Sequence, residues 1–225
     1  MPIEGVLLTD AELDHTLGVV LLREGRQLPL YTTGAIGSVL DRDSRILPVT
    51  RAFGEFPLTE LRLETPVELR YRDGSSSGLV VEPFTVPAGP PRFAPEAAEG
   101  HTIGLLLRDE ERKKVCAFVP TCGDLDPLLR ARLAQADILL FDGTFWADRE
   151  LLDLGISSRT AREMDHQPIG GPGGSLEQLA MLPCRYRIYT HINNTNPVLL
   201  EESAERLAVT SAGLTVGYDG LSVSL

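Results

Sequence analysis

The run Thr9-Asp10-Ala11-Glu12-Leu13-Asp14-His15-Thr16-Leu17-Gly18 packs three carboxylates and one imidazole into a single turn. Like charges at the mouth of a buried segment repel unless a cation, a proton or solvent stands between them. A divalent metal answers that repulsion, and hard oxygen ligands with one or two imidazoles suit manganese, iron(II) or zinc. Two imidazoles with one carboxylate and open positions suit iron(II) and dioxygen chemistry. The plainer chemistry is a solvated acidic turn, with Asp10 or Asp14 capping a following helix and His15 in its first turn. Spacing alone leaves both open.

Two later stretches carry the same kind of residue at the same kind of place. Phe141-Asp142-Gly143-Thr144-Phe145-Trp146 sets a carboxylate at the end of an apolar run, where layered α/β proteins gather ligands and catalytic acids. An Asp before Gly also holds turns. His191-Ile192-Asn193-Asn194-Thr195-Asn196-Pro197 follows another apolar run, and its amides would each need a partner if buried, so a binding site explains them better than a core.

Between these lies Met164-Asp165-His166-Gln167-Pro168, ahead of Gly170-Gly171-Pro172-Gly173-Gly174. That run lacks the Lys-Ser/Thr of a phosphate-binding loop and the spacing of a dinucleotide fingerprint, so it reads as a mobile loop. Cys116, Cys122 and Cys184 form no close pair and suggest no disulfide framework. Cys116 reads as a small core residue, and Cys122 as a packed thiol in a turn.

The elements that must position these residues alternate. A strand over Val6 to Leu8 is followed by a helix over Leu17 to Arg23 closed by Gly25, a strand over Leu28 to Thr32 and helical turns over Ala35 to Leu40. Strands over Val67 to Tyr71, Leu79 to Val86, Thr102 to Leu107 and Val115 to Val119, with polar turns between, read as antiparallel. Next come a helix over Asp126 to Ala134, a strand over Asp137 to Phe141, a helix over Ser175 to Leu182 and a strand over Arg187 to Thr190. A helix over Leu200 to Ser211 and strands around Leu214 to Tyr218 and Leu221 to Val223 close the chain. The aperiodic stretches Pro87 to Gly100 and Ser157 to Gly174 read as loops able to shield a site from water.

At 225 residues, 43% hydrophobic and 24% charged, the chain has the make-up of a globular enzyme. A net charge of -11 and a pI near 4.8 oppose a nucleic-acid or anionic-membrane surface. No apolar run approaches a bilayer span and no basic-then-apolar leader opens the sequence, so a cytoplasmic protein is expected.

The Thr9 to Gly18 run resembles the metallo-β-lactamase signature His-x-His-x-Asp-His-x-x-Gly, with Asp10 and Glu12 where the first two histidines would stand. Together with the Asp142 and His191 motifs, in this order and spacing, it resembles the PqqB family of pyrroloquinoline quinone (PQQ) biosynthesis. The resemblance implies a single α/β domain of the metallo-β-lactamase-type αββα sandwich over residues 1–225, shortened at its N-terminus. It implies an iron(II) centre on Asp14, His15 and His191, with zinc or manganese possible in a purified sample. The implied activity is hydroxylation of the tyrosine-derived ring of a cross-linked Glu-Tyr precursor, a small peptide-derived substrate. Asp142, His166 and Asp10 would serve around the reaction, and Asn193, Asn194 and Asn196 would orient the substrate. Loss of the first two histidines disfavours a dinuclear zinc hydrolase of the phosphodiesterase or lactonase kind. A carrier that moves PQQ or a precursor toward the periplasm is the other alternative. The family's further N-terminal strands do not precede Ile3 in this sequence, which a misplaced start, a fragment, or a sheet edge covered by a homodimer mate or a partner would each explain.

Overall fold

A computed structural model describes residues 3–22 and 27–225. It divides into two compact units, Met1–Thr85 with Gly89–Lys113, and Val86–Ala88 with Lys114–Leu225. Among the described residues, no helix is long and apolar enough to cross a membrane.

The first unit opens with β1 (Val6–Leu7), α1 (Leu13–Leu21), β2 (Leu30–Thr32), α2 (Gly34–Arg42), α3 (Ile46–Arg51) and β3 (Leu58–Glu60). Strands β1, β2 and β3 lie side by side in parallel, Val6 opposite Leu30 and Leu30 opposite Leu58. Thr33 caps α2 through its hydroxyl, which accepts from the Ile36 amide at 3.2 Å. A meander of β4 (Val67–Arg70), β5 (Ser76–Thr85) and β6 (Ile103–Asp109) follows, antiparallel as expected. Its first turn closes with Gly74 at φ +85°, which glycine adopts without strain.

Helix α1 starts at Leu13 instead of Leu17. The Asp10 carboxylate accepts from the Glu12 amide at 3.0 Å and the Thr16 hydroxyl donates to the Glu12 carbonyl at 2.8 Å, which begins the helix early. Asp14 and His15 therefore ride its first turn. The expected end of this helix at Arg23 and Gly25 lies outside the described residues.

The second unit is built on four parallel strands in the order β7 (Lys114–Val119), β8 (Ile138–Asp142), β9 (Tyr186–Thr190) and β10 (Thr215–Val216). Helices α4 (Pro127–Leu133), α5 (Glu150–Asp153), α6 (Ser175–Ala180) and α7 (Ala204–Ser211) connect or flank them. Asp126 starts α4 by accepting from the Leu129 amide at 2.7 Å, with Pro127 in the first turn where no backbone donor is needed. Ala117, Val119, Leu139, Phe141 and Tyr189 alternate along the strands and are all buried, so one sheet face forms the core of this unit. The C-terminal strand is shorter than expected, and residues 217–225 form no strand. The expected last helix starts at Ala204 instead of Leu200, and a 3-10 turn at Pro197–Leu199 precedes it.

Candidate metal centre

Parallel strands point their carboxyl ends the same way, and that end is where α/β proteins bind ligands. Asp142 ends β8, and His191 directly follows Thr190 at the end of β9. The turn after Asp142 needs Gly143, because a Cβ there would lie 2.9 Å from the Tyr189 Cβ and 3.0 Å from the Thr190 carbonyl oxygen. His191 sits at φ +53°, a left-handed conformation that costs a non-glycine residue roughly 1–3 kcal/mol. Asp165, just before His166, is also left-handed, at φ +62°. Strain of this kind persists where the surroundings hold it, and here it aims both imidazoles.

Asp142 is wholly buried and accepts four hydrogen bonds. Its Oδ2 takes the Cys122 amide at 2.9 Å and His166 Nδ1 at 2.7 Å; its Oδ1 takes the Thr144 amide at 3.0 Å and the Thr144 hydroxyl at 2.6 Å. Those four fill the acceptor capacity of a carboxylate. The Thr144 hydroxyl also lies 2.7 Å from His191 Nδ1. The rings of His166 and His191 stack with centroids 5.4 Å apart, and Phe145 meets His166 edge-on at 5.8 Å. One donor atom from each of Asp142, His166 and His191 falls within 4.8 Å of the others.

In the first unit Asp10, 1% exposed, holds His15 Nδ1 at 2.7 Å. Burial lowers the His15 pKa, but the Asp10 hydrogen bond and the Asp10, Asp14 and Glu12 charges outweigh it, so the net direction is upward. His15 Nε2 stands 3.8 Å from an oxygen of Asp14, whose side chain is 71% exposed. One ion about 2.1 Å from each atom spans such a gap. The donor set thus fits a divalent metal. In His15 and His166 alike, Nδ1 faces a buried carboxylate, the orientation that metal-ligating histidines take from their surroundings.

The amides divide. Asn194 is exposed, whereas Asn196 is buried, donates to the Gly143 carbonyl at 2.9 Å and accepts from the Val198 amide at 3.1 Å. Its amide is spent on the loop, which corrects the expectation that it faces a substrate. Asn193 donates to the Thr195 hydroxyl at 2.6 Å, which in turn donates to Glu150 at 2.6 Å. Hydrogen bonds hold the glycine run at both ends: Gln167 and Arg162 both donate to the Gly173 carbonyl, at 2.9 and 3.0 Å, and the Gly170 amide donates to the Trp146 carbonyl at 2.9 Å. Burial, then the Asp142 charge, pushes the Cys122 thiol up, and burial takes Cys116 up to about 11, so neither is a thiolate near neutral pH. Beside His191 a cavity of about 650 Å³ runs along Cys116, Ile138, Leu140 and Ile188 to Tyr218 and Asp219.

A family model described as a β-lactamase superfamily domain matches residues 1–192. Coenzyme PQQ synthesis protein B of Gluconacetobacter diazotrophicus is 37% identical over 230 residues, covering 99% of this chain and 74% of that protein. Its counterpart from Cupriavidus necator is 39% identical over 231 residues, covering 99% and 73%. The chain belongs to the PqqB family. A crystal structure of Zn²⁺-bound PqqB from Methylobacterium extorquens superimposes with a TM-score of 0.86 at 36% identity, covering all of this chain and 74% of that one. The fold is therefore the metallo-β-lactamase-type α/β fold. Thr144, the hydroxyl between Asp142 and His191, was not foreseen from sequence; its place directly after the Asp-Gly turn was the available signal.

Proposed function

We propose that the chain works in PQQ synthesis as an iron(II)-dependent hydroxylase of the tyrosine-derived ring of a small cross-linked Glu-Tyr precursor. Asp14, His15 and His191 would hold the ion, the positions onto which the family's motifs fall. The observation that carries this reading is the anchoring of Nδ1, by Asp10 in His15 and by the Thr144 hydroxyl in His191, which leaves Nε2 as the ligating atom of each. Two imidazoles and one carboxylate suit iron(II), and the zinc of the M. extorquens protein belongs to that structure. Iron(II), when bound, supplies dioxygen activation that redox-inert zinc cannot.

The chain's own groups do the rest. His166, fixed by Asp142 through Nδ1, holds or releases a proton at Nε2. The apolar side chains along the cavity beside His191 suit an aromatic ring, and the exposed Asn194 orients its polar groups. Each hydroxylation places one atom of O₂ on a ring carbon and leaves the other as water, with two electrons and two protons drawn from an enediol-type reductant.

Oxygen uptake by iron-loaded protein with an ortho-substituted tyrosine and ascorbate tests this. Metal-dependent uptake with a hydroxylated product, lost in His15→Ala, is expected. Full turnover by His15→Ala removes the ligand from the account. Tight binding of a quinone precursor without oxygen uptake would make the chain a carrier, and zinc-dependent turnover of a phosphodiester or lactone would make it a hydrolase.

A further inference from the structure

The geometry points to Thr144 as the positioning residue that sets the tautomer of His191. The Thr144 hydroxyl has one proton and two short contacts, 2.6 Å to Asp142 Oδ1 and 2.7 Å to His191 Nδ1. An ionised carboxylate only accepts, so the hydroxyl proton goes to Asp142. The oxygen of Thr144 then accepts, and His191 Nδ1 carries the hydrogen. In the neutral imidazole the lone pair then sits on Nε2. The same hydroxyl also lies 3.0 Å from the His191 carbonyl, next to the left-handed backbone that aims the ring.

The placement of Thr144 is itself fixed by the loop that carries His191. The Asn193 amide donates to the Thr144 carbonyl at 3.1 Å, and the Asn196 side chain donates to the Gly143 carbonyl at 2.9 Å. His166 Nδ1 stands 3.2 Å from the same hydroxyl but 2.7 Å from Asp142 Oδ2, so its proton belongs to the carboxylate. Asp142 thus directs both imidazoles, His166 directly and His191 through Thr144. With four donors already on it, Asp142 acts by orienting these groups.

The consequence for metal binding rests on His191 being a ligand, as proposed above. Thr144→Val keeps the shape and removes the hydroxyl, whereas Thr144→Ser keeps the hydroxyl. Long-range ¹H–¹⁵N correlation on the metal-free protein reads the tautomer, and competition with a chelator reads Zn²⁺ affinity. Expected are an Nδ1–H His191 in the parent and in Thr144→Ser, a mixed or inverted tautomer in Thr144→Val, and a loss of about 10- to 100-fold in Zn²⁺ affinity in Thr144→Val alone. An Nδ1–H tautomer unchanged in Thr144→Val overturns the proposal. A changed tautomer with unchanged Zn²⁺ affinity upholds the hydroxyl's role and overturns His191 as a ligand. Should Thr144→Val not fold, Thr144→Ala is read the same way.

Discussion

His166 Nδ1 lies 2.7 Å from Oδ2 of Asp142, a carboxylate with no solvent exposure. Removing one partner of a buried, hydrogen-bonded pair leaves the other uncompensated, at a cost of about 3–5 kcal/mol. Asp142→Asn turns one acceptor oxygen into a donor facing donors. Urea unfolding is expected to show a loss of about 2–4 kcal/mol. A loss under about 0.5 kcal/mol would mean the carboxylate is not the saturated acceptor described here.

The upward pKa of His15 gives a pH dependence with a definite sign. A group whose folded pKa is raised adds stability that is fully present below its unfolded value, about 6.5, and is lost as pH rises through the folded value. The metal-free protein should lose this contribution as pH rises above about 6.5, and Asp10→Asn should flatten that slope. Metal binding runs the other way: the ion displaces the His15 proton, so affinity falls as pH drops. Chemical unfolding and Zn²⁺ titration at pH 6 and pH 8 check both signs.

Asn194 and Asn196 should behave differently despite their shared motif. Asn196→Ala abandons the Gly143 carbonyl and the Val198 amide, costing about 1–3 kcal/mol. Asn194→Ala, at an exposed position, should leave stability within about 0.5 kcal/mol and instead raise KM. Equal destabilisation by both would contradict the division.

Thiol chemistry gives a simple check on the buried Cys122 and the half-buried Cys116. With Cys122 buried and its pKa raised, and Cys116 up to about 11, iodoacetamide at pH 8 should alkylate neither in the folded protein and both after unfolding. Rapid labelling of Cys122 in the native state would show that its loop opens.

The elements were legible where local pattern decides them. Ile138–Asp142 and Tyr186–Thr190 are short apolar runs ending in polar motifs, and Asp126 before Pro127 marks a helix start. Helix α3 was missed because Pro48 interrupts its six residues, and β3 because three half-polar residues carry no period. At the site, Asp10 and His15 pair across five residues and leave a local trace. Thr144 meets His191 across 47 residues, and only tertiary structure brings a lone hydroxyl to a histidine that far along the chain. Asn196 shares the composition of its neighbours, so its inward turn depends on backbone geometry that composition does not encode.

The proposed activity needs Asp14, His15 and His191 to hold one redox-active ion. Iron content after anaerobic loading and desalting, determined side by side for the parent, Asp14→Ala, His15→Ala and His191→Ala, tests it most directly. The prediction is about one iron per parent chain and a loss of at least tenfold in retained iron in each variant, with each still folded by circular dichroism. Parent-like iron retention in any folded variant would contradict the ligand set.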